Sequence, residues 1–134
     1  MRPTIDLSFE CVLIGEQVPD AGFYAWDIPD NILYADSALA ALFGLDAGLA
    51  ERGLPIENYL ERVHPDDRPR LAKTIRDSII GHHPQQEVYR VLDMSGTYVT
   101  VASYGRGFLD AAGSPNRYVG IVIPAAHEMQ GITH

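Results

Sequence analysis

Three runs rich in Val, Tyr and Ile fill the last third of the chain: QEVYRVLD (86–93), TYVTVASYGRGFLD (97–110) and NRYVGIVI (116–123). β-Branched and aromatic residues fit a pleated, half-buried surface. Only MSG and AAGSP stand between the runs, and both are turn compositions. Parallel neighbours need a crossover of about a dozen residues or more, so connections this short predict an antiparallel meander. Two shorter runs, FYAWDI (23–28) and ILYAD (32–36), flank PDN and predict a hairpin near the start.

Helical patterns lie between the two sets of strands. In SALAALFG, Ser37 is expected as N-cap and Gly44 as a left-handed C-cap, with Leu39, Leu42 and Phe43 on one face. A Gly-containing connector follows. PIENYLERV then places Ile56, Tyr59, Leu60 and Val63 at helical spacing. Leu71, Ile75 and Ile79 repeat every four residues along a longer helix, which Gly81 is expected to end. A further short helix is read at 8–18, SFECVLIGEQV. The order β-β-α-α-α-β-β-β describes an α+β domain, five strands with a layer of short helices.

Composition narrows the function classes. The 134 residues suit one domain, and 46% apolar content suffices for a core. No run approaches the roughly 18–20 apolar residues of a membrane span, and the N-terminus makes a poor signal peptide. The single cysteine, Cys11, excludes an internal disulfide and fits a reducing cytoplasm. Net charge is −8. The densest basic stretch, Arg68, Arg70, Lys73 and Arg76, is interleaved with Asp66, Asp67 and Asp77, which describes a solvated helix face rather than a nucleic-acid surface.

The most charged segment is RVHPDDRPRL (62–71). Pro69 is tolerated only in the first turn of a helix, so the long helix must start near Asp66 or Asp67. Asp66 is then expected as N-cap, with Asp67 in the first turn and Asp66→Ala costing about 0.5–2 kcal/mol. Pro65 ends the preceding helix and leaves His64 at the corner, bonded to backbone. His64, Pro65, Asp66, Asp67 and Arg68 thus form a structural corner. A metal reading is weaker. Glu57, Glu61 and His64 share a face and ERVH matches a Glu-x-x-His element, but carboxylate-bridged di-metal sites need two such elements on long helices. No nucleophile–base pair or phosphate-cradling glycine loop supports an enzyme, and a small metal-dependent enzyme is the remote alternative.

Taken in order, GFYAWDI, SALAALFGL, YLERVHPDDRPRL, YRV, SGTYV and GSPNRYVGIVI resemble a PAS domain of the branch with a His-Pro-Asp-Asp-Arg corner. The resemblance spans residues 20–124. It leaves 1–19 as a flanking N-terminal helix and 125–134 as a linker toward an output domain. It implies a five-stranded antiparallel sheet in the order 2-1-5-4-3, with helices cupping one face. It also implies a sensory module of a larger signalling protein: a histidine kinase, diguanylate cyclase or transcription regulator. The chain departs from the family at Val88, often an acid, at Ser95, often Asp, and at Thr100, often Trp. Pro124-Ala125-Ala126 stands where an Asp-Ile-Thr triad usually anchors the output linker.

Cofactors of the family can be weighed residue by residue. Flavin adducts need an Asn-Cys motif beside the pocket, whereas Cys11 lies far upstream. Haem-binding members use a histidine of the long helix, and 66–80 contain none, with His82 and His83 following its expected end. An apolar pocket remains, with Trp26, Leu42, Phe43, Tyr59, Leu60, Ile75, Ile79, Tyr89, Val101 and Ser103 as candidate lining. It either receives a small organic ligand or is simply filled core, in a module that only dimerises or docks. Phe9, Val12, Leu13 and Ile14 are too many apolar residues for a lone solvated helix and are the candidate homodimer interface.

Overall fold

A computed structural model of the protein describes residues 21–125. Five strands form one antiparallel sheet: β1 (Gly22–Asp27), β2 (Ile32–Ala35), β3 (Gln85–Leu92), β4 (Tyr98–Leu109) and β5 (Pro115–Pro124). Their order is β2-β1-β5-β4-β3. This is the sheet that the resemblance implied. Between β2 and β3 lie α1 (Ser37–Leu42), α2 (Ala47–Arg52), α3 (Ile56–Leu60) and α4 (Arg68–Gly81). The expected helix at 8–18, the candidate dimer residues Phe9, Val12, Leu13 and Ile14, and nearly all of the 125–134 linker lie outside the described residues.

Both turns of the meander use one device. Asp93 Oδ1 accepts from the Ser95 and Thr97 amides, and Gly96 takes φ 85°. Asp110 Oδ1 accepts from Ala112 and Ser114, with Gly113 at φ 88°. An aspartate folding its own backbone and a glycine at positive φ fix the strand register without any tertiary help.

The helices differ from expectation in three places. The N-cap of α1 is Asp36, not Ser37: the backbone is extended at Asp36, and its carboxylate accepts from Leu39 at 2.9 Å and from Phe23 of β1 at 3.2 Å. The expected connector contains α2, capped by Asp46 on the Leu49 amide at 3.0 Å. The end of α4 at Gly81 is as expected, and His82, at φ 58°, is the left-handed residue that follows it. Asp66 is not the cap of α4; Asp67 holds that position, and its side chain makes no capping bond.

The reason is a distant competitor. Asp67 is buried and accepts from Arg90 of β3 through Nε at 2.9 Å, Nη2 at 2.8 Å and the backbone amide at 2.9 Å. A bidentate guanidinium contact is stronger than an N-cap bond, so the carboxylate turns to the sheet. Arg70 pairs with Glu87 of the same strand, and Thr74 donates to Glu87 at 3.2 Å. His64 donates its amide to Arg90 O at 2.8 Å, and its Nδ1 accepts the Asp66 amide at 3.1 Å, the backbone role expected of it. Arg62 donates to Phe43 O and Leu92 O. Arg68 donates to Val63 O at 2.9 Å and to Glu61 O. The whole corner thus ties α3 and α4 to β3. Two further backbone bridges, Leu33 to Leu54 and Val63 to Val91, fasten the helical layer to the outermost strands.

The core lies between this layer and one face of the sheet. Leu33, Leu39, Phe43, Tyr59, Val63, Leu71, Tyr89, Val91, Val101 and Val122 are all buried there. Leu39 sits so close to β1 that a Cβ at Gly22 would lie 2.5 Å from its Cα, so only glycine lets α1 approach.

Candidate functional site

Within that core is a cavity of about 50 Å³. The sheet contributes Tyr24 and Trp26 from β1, Leu33 from β2, Gln85 and Tyr89 from β3, Ser103 from β4, and Tyr118 and Val122 from β5. The helical side contributes Leu39, Phe43, Ile56, Tyr59, Leu60, Val63, Leu71 and Ile75. Of the sequence candidates, Trp26, Phe43, Tyr59, Leu60, Ile75, Tyr89 and Ser103 meet at this cavity. Leu42 packs against the core elsewhere, Val101 is fully buried in β4 outside the lining, and Ile79 borders a more open depression with Ala72, Arg76 and Ile80.

Several lining residues were not foreseen. Tyr118 is the more deeply buried of the two tyrosines among them: 1% exposed, stacked on Tyr24 at 6.4 Å and edge-on to Trp26 at 6.2 Å. Its signal was available, since Tyr118, Gly120 and Val122 alternate with Val119 and Ile121. Asn31 was invisible in the sequence. At φ 53° in the β1–β2 turn, its Oδ1 accepts from the Trp26 indole at 3.0 Å and from the Ile56 amide at 3.3 Å. Its Nδ2 donates to Glu57 at 2.8 Å. A short amide tolerates the left-handed backbone, and here it orients Trp26 and anchors α3. Gly105 and Gly120 face one another across β4 and β5, and a side chain on either would meet the Tyr24 hydroxyl.

Two polar features of the lining contrast. Gln85 Nε2 donates to Ser103 Oγ at 2.9 Å, and the Tyr118 hydroxyl donates to Gln85 Oε1 at 3.5 Å, so this cluster satisfies itself. Tyr59 is different: it is 4% exposed, and its hydroxyl is buried without a hydrogen-bond partner. Desolvation pushes the Tyr59 phenol up to about 12. It pushes Tyr89 up to about 12 as well, against the opposing pull of a hydrogen bond with Ser103. Tyr24 and Tyr118 are also raised, chiefly by burial. The lining contains no Asp, Glu, Lys, Arg or His, so the cavity is neutral.

An unpaired buried hydroxyl costs about 1–3 kcal/mol. Tyr59→Phe keeps the ring and its edge contact with Phe43 at 5.6 Å. The variant is expected to be more stable by about 1 kcal/mol, read as a higher urea midpoint with an unchanged slope.

Among the described residues no group of three or more His, Cys, Asp or Glu is gathered in metal-binding geometry. Asp67 of the corner is engaged with Arg90, and Glu57 of α3 with Asn31.

Comparison with known proteins agrees with this architecture. Among solved structures, a sensory box histidine kinase/response regulator from Burkholderia thailandensis is similar at TM-score 0.73 and 21% identity, covering 90% of this chain and 88% of that one. The N-terminal domain of a diguanylate cyclase with a PAS/PAC sensor from Marinobacter aquaeolei is similar at TM-score 0.70 and 20% identity, covering 81% and 98%. A domain of a putative light and redox sensing histidine kinase from Haloarcula marismortui is similar at 0.66 and 18%, covering 78% and 88%. No curated protein matches. The family model described as PAS fold matches residues 32–122, from β2 through most of β5. With that match over most of its length, and with the β2-β1-β5-β4-β3 sheet cupped by short helices, the chain belongs to the PAS family.

Proposed function

We propose that this chain is the sensory module of a larger signal-transduction protein, that it responds to a small organic molecule taken up between sheet and helices, and that it works as a homodimer in the cytoplasm. The observation that carries this reading is the neutral cavity with a buried, unpartnered Tyr59 hydroxyl. Filled core would not retain such a group at no benefit. The likeness to domains of a histidine kinase and a diguanylate cyclase favours an output domain of that kind, or a transcription regulator, in the parent chain. The module itself performs no catalysis in this reading and touches neither nucleic acid nor membrane. No helix among the described residues is long and apolar enough to cross a bilayer.

Association of two copies is assigned to the segment bearing Phe9, Val12, Leu13 and Ile14. It is supported by apolar residues on the sheet face opposite the cavity, where Phe23 is 56% and Val88 46% exposed. These same residues favour a second reading, a module that only dimerises or docks. A thermal-shift screen of small organic molecules, with light scattering on the same samples, separates the two. Sensing predicts a dimer whose melting temperature rises with at least one chemical class. A dimer that no compound stabilises supports docking alone, and a monomer overturns the assembly proposed.

A further inference from the structure

The chemistry of the cavity narrows what it can take, and the inference rests on the sensing reading above. Size comes first. An apolar protein cavity of roughly 150 Å³ accommodates benzene, and this one is about 50 Å³. By that ratio it holds only about two heavy atoms on its own, but it shares Trp26, Ile56, Leu60 and Ile75 with the more open depression beside it, into which a molecule of about four heavy atoms can extend. Charge comes next. No ionisable acid or base lines it, and an ion buried without a counter-charge or coordinating donors is strongly disfavoured. Hydrogen bonding is the third constraint. Gln85, Ser103 and Tyr118 already bond one another, whereas the Tyr59 hydroxyl is an unspent donor. Water suits such a place poorly. It needs two to four polar partners, and the rest of the lining is dominated by aliphatic and aromatic carbon.

We infer that the cavity binds a small, uncharged, mostly apolar molecule with a single hydrogen-bond acceptor, of the class of a short-chain ketone, aldehyde or ether, and that Tyr59 is the group that selects it. The acceptor takes the Tyr59 hydroxyl proton in a hydrogen bond, and the apolar remainder lies among Phe43, Leu60 and Ile75.

Three molecules of nearly one shape test this: acetone, its methylene counterpart 2-methylpropene dissolved as a gas, and acetate. The chain contains one tryptophan, Trp26, which lines the cavity. Its indole N–H therefore gives a single, assignable NMR resonance at the site. Acetone is expected to shift that resonance saturably, with a Kd on the order of 1 mM, while acetate leaves it unmoved. In Tyr59→Phe, acetone is expected to bind about fivefold to tenfold more weakly, while 2-methylpropene binds as well as before or better. Acetate binding as tightly as acetone overturns the charge argument. Equal effects of Tyr59→Phe on acetone and 2-methylpropene overturn the role of Tyr59. In both cases sensing itself survives. If none of the three binds but the thermal-shift screen finds other ligands, the chemical class is wrong and the sensing reading stands. If neither experiment finds a ligand, both fall.

Discussion

Asp67→Ala is expected to destabilise the protein by about 2–3 kcal/mol, and its neighbour Asp66→Ala by no more than about 0.5 kcal/mol. The two aspartates adjoin in sequence but differ in surroundings. The Asp67 side chain is 9% exposed and accepts three hydrogen bonds from Arg90, whereas that of Asp66 is 80% exposed. Removing Asp67 strands the Arg90 guanidinium and amide and unfastens α4 from β3. Arg90 can partly rehydrate, since its side chain is 42% exposed, which holds the cost below that of a fully buried broken pair. Acid should reveal the same contact. The Arg90 hydrogen bonds hold the Asp67 carboxyl far below the usual carboxylate range, with burial opposing them. Stabilisation from a depressed carboxyl is complete above its unfolded value near 4 and is lost as pH falls toward the folded value. Wild type should lose stability steadily below about pH 5, and Asp67→Ala should flatten that slope. Urea unfolding at a series of pH values checks both. An Asp66→Ala protein with the larger loss would restore the N-cap account of this corner.

Tyr118→Ala is expected to cost about 3–5 kcal/mol, the range for deleting a large buried aromatic. Tyr118 packs between Tyr24 and Trp26 on β5, which lies between β1 and β4. Its loss removes the floor of the cavity as well as core volume, so the Trp26 indole resonance should move with the drop in urea midpoint. Tyr118→Phe should stay within about 1 kcal/mol of wild type, because the bond it gives up, to Gln85, is long at 3.5 Å. Similar losses for both substitutions would mean that the hydroxyl, not the ring, carries the contribution.

These two residues mark where the sequence was informative and where it was not. All five strands were legible from β-branched runs and turn residues, because Asp93 with Gly96 and Asp110 with Gly113 act locally. Sheet order came only through family likeness, since nothing local says that β1 pairs with β5. The helix α2 was read as connector because Gly48 and Gly53 bracket so short a run, although Asp46 capping Leu49 was present in the letters. Pro69 correctly bounded α4, but the identity of the cap failed. Capping rules weigh neighbours, and Arg90 lies 23 residues away from Asp67. Helical periodicity pointed to Tyr59, Leu60 and Ile75, which line the cavity, but also to Leu42 and Ile79, which lie off it. Asn31 was not legible, because its partners at Trp26, Ile56 and Glu57 are defined only by the fold.

The corner that joins α3 to α4 has one more consequence, for how copies of this protein can meet. A strand at the margin of a sheet presents unpaired N–H and C=O groups that invite a strand from another molecule. Here the second half of that row on β3 is already occupied. Arg70 takes Val88 O, Asp67 takes Arg90 N, the His64 amide takes Arg90 O, and Arg62 O and Nη2 take Leu92 N and Leu92 O. At the opposite margin, Leu54 exchanges both backbone bonds with Leu33 of β2. Both rims of the sheet are thereby partly covered against strand addition, by side-chain and backbone groups of the corner on one side and by a loop on the other. The charged run at 62–70 works as a selvedge along β3, hindering the sheet from growing sideways there into fibres or swapped pairs.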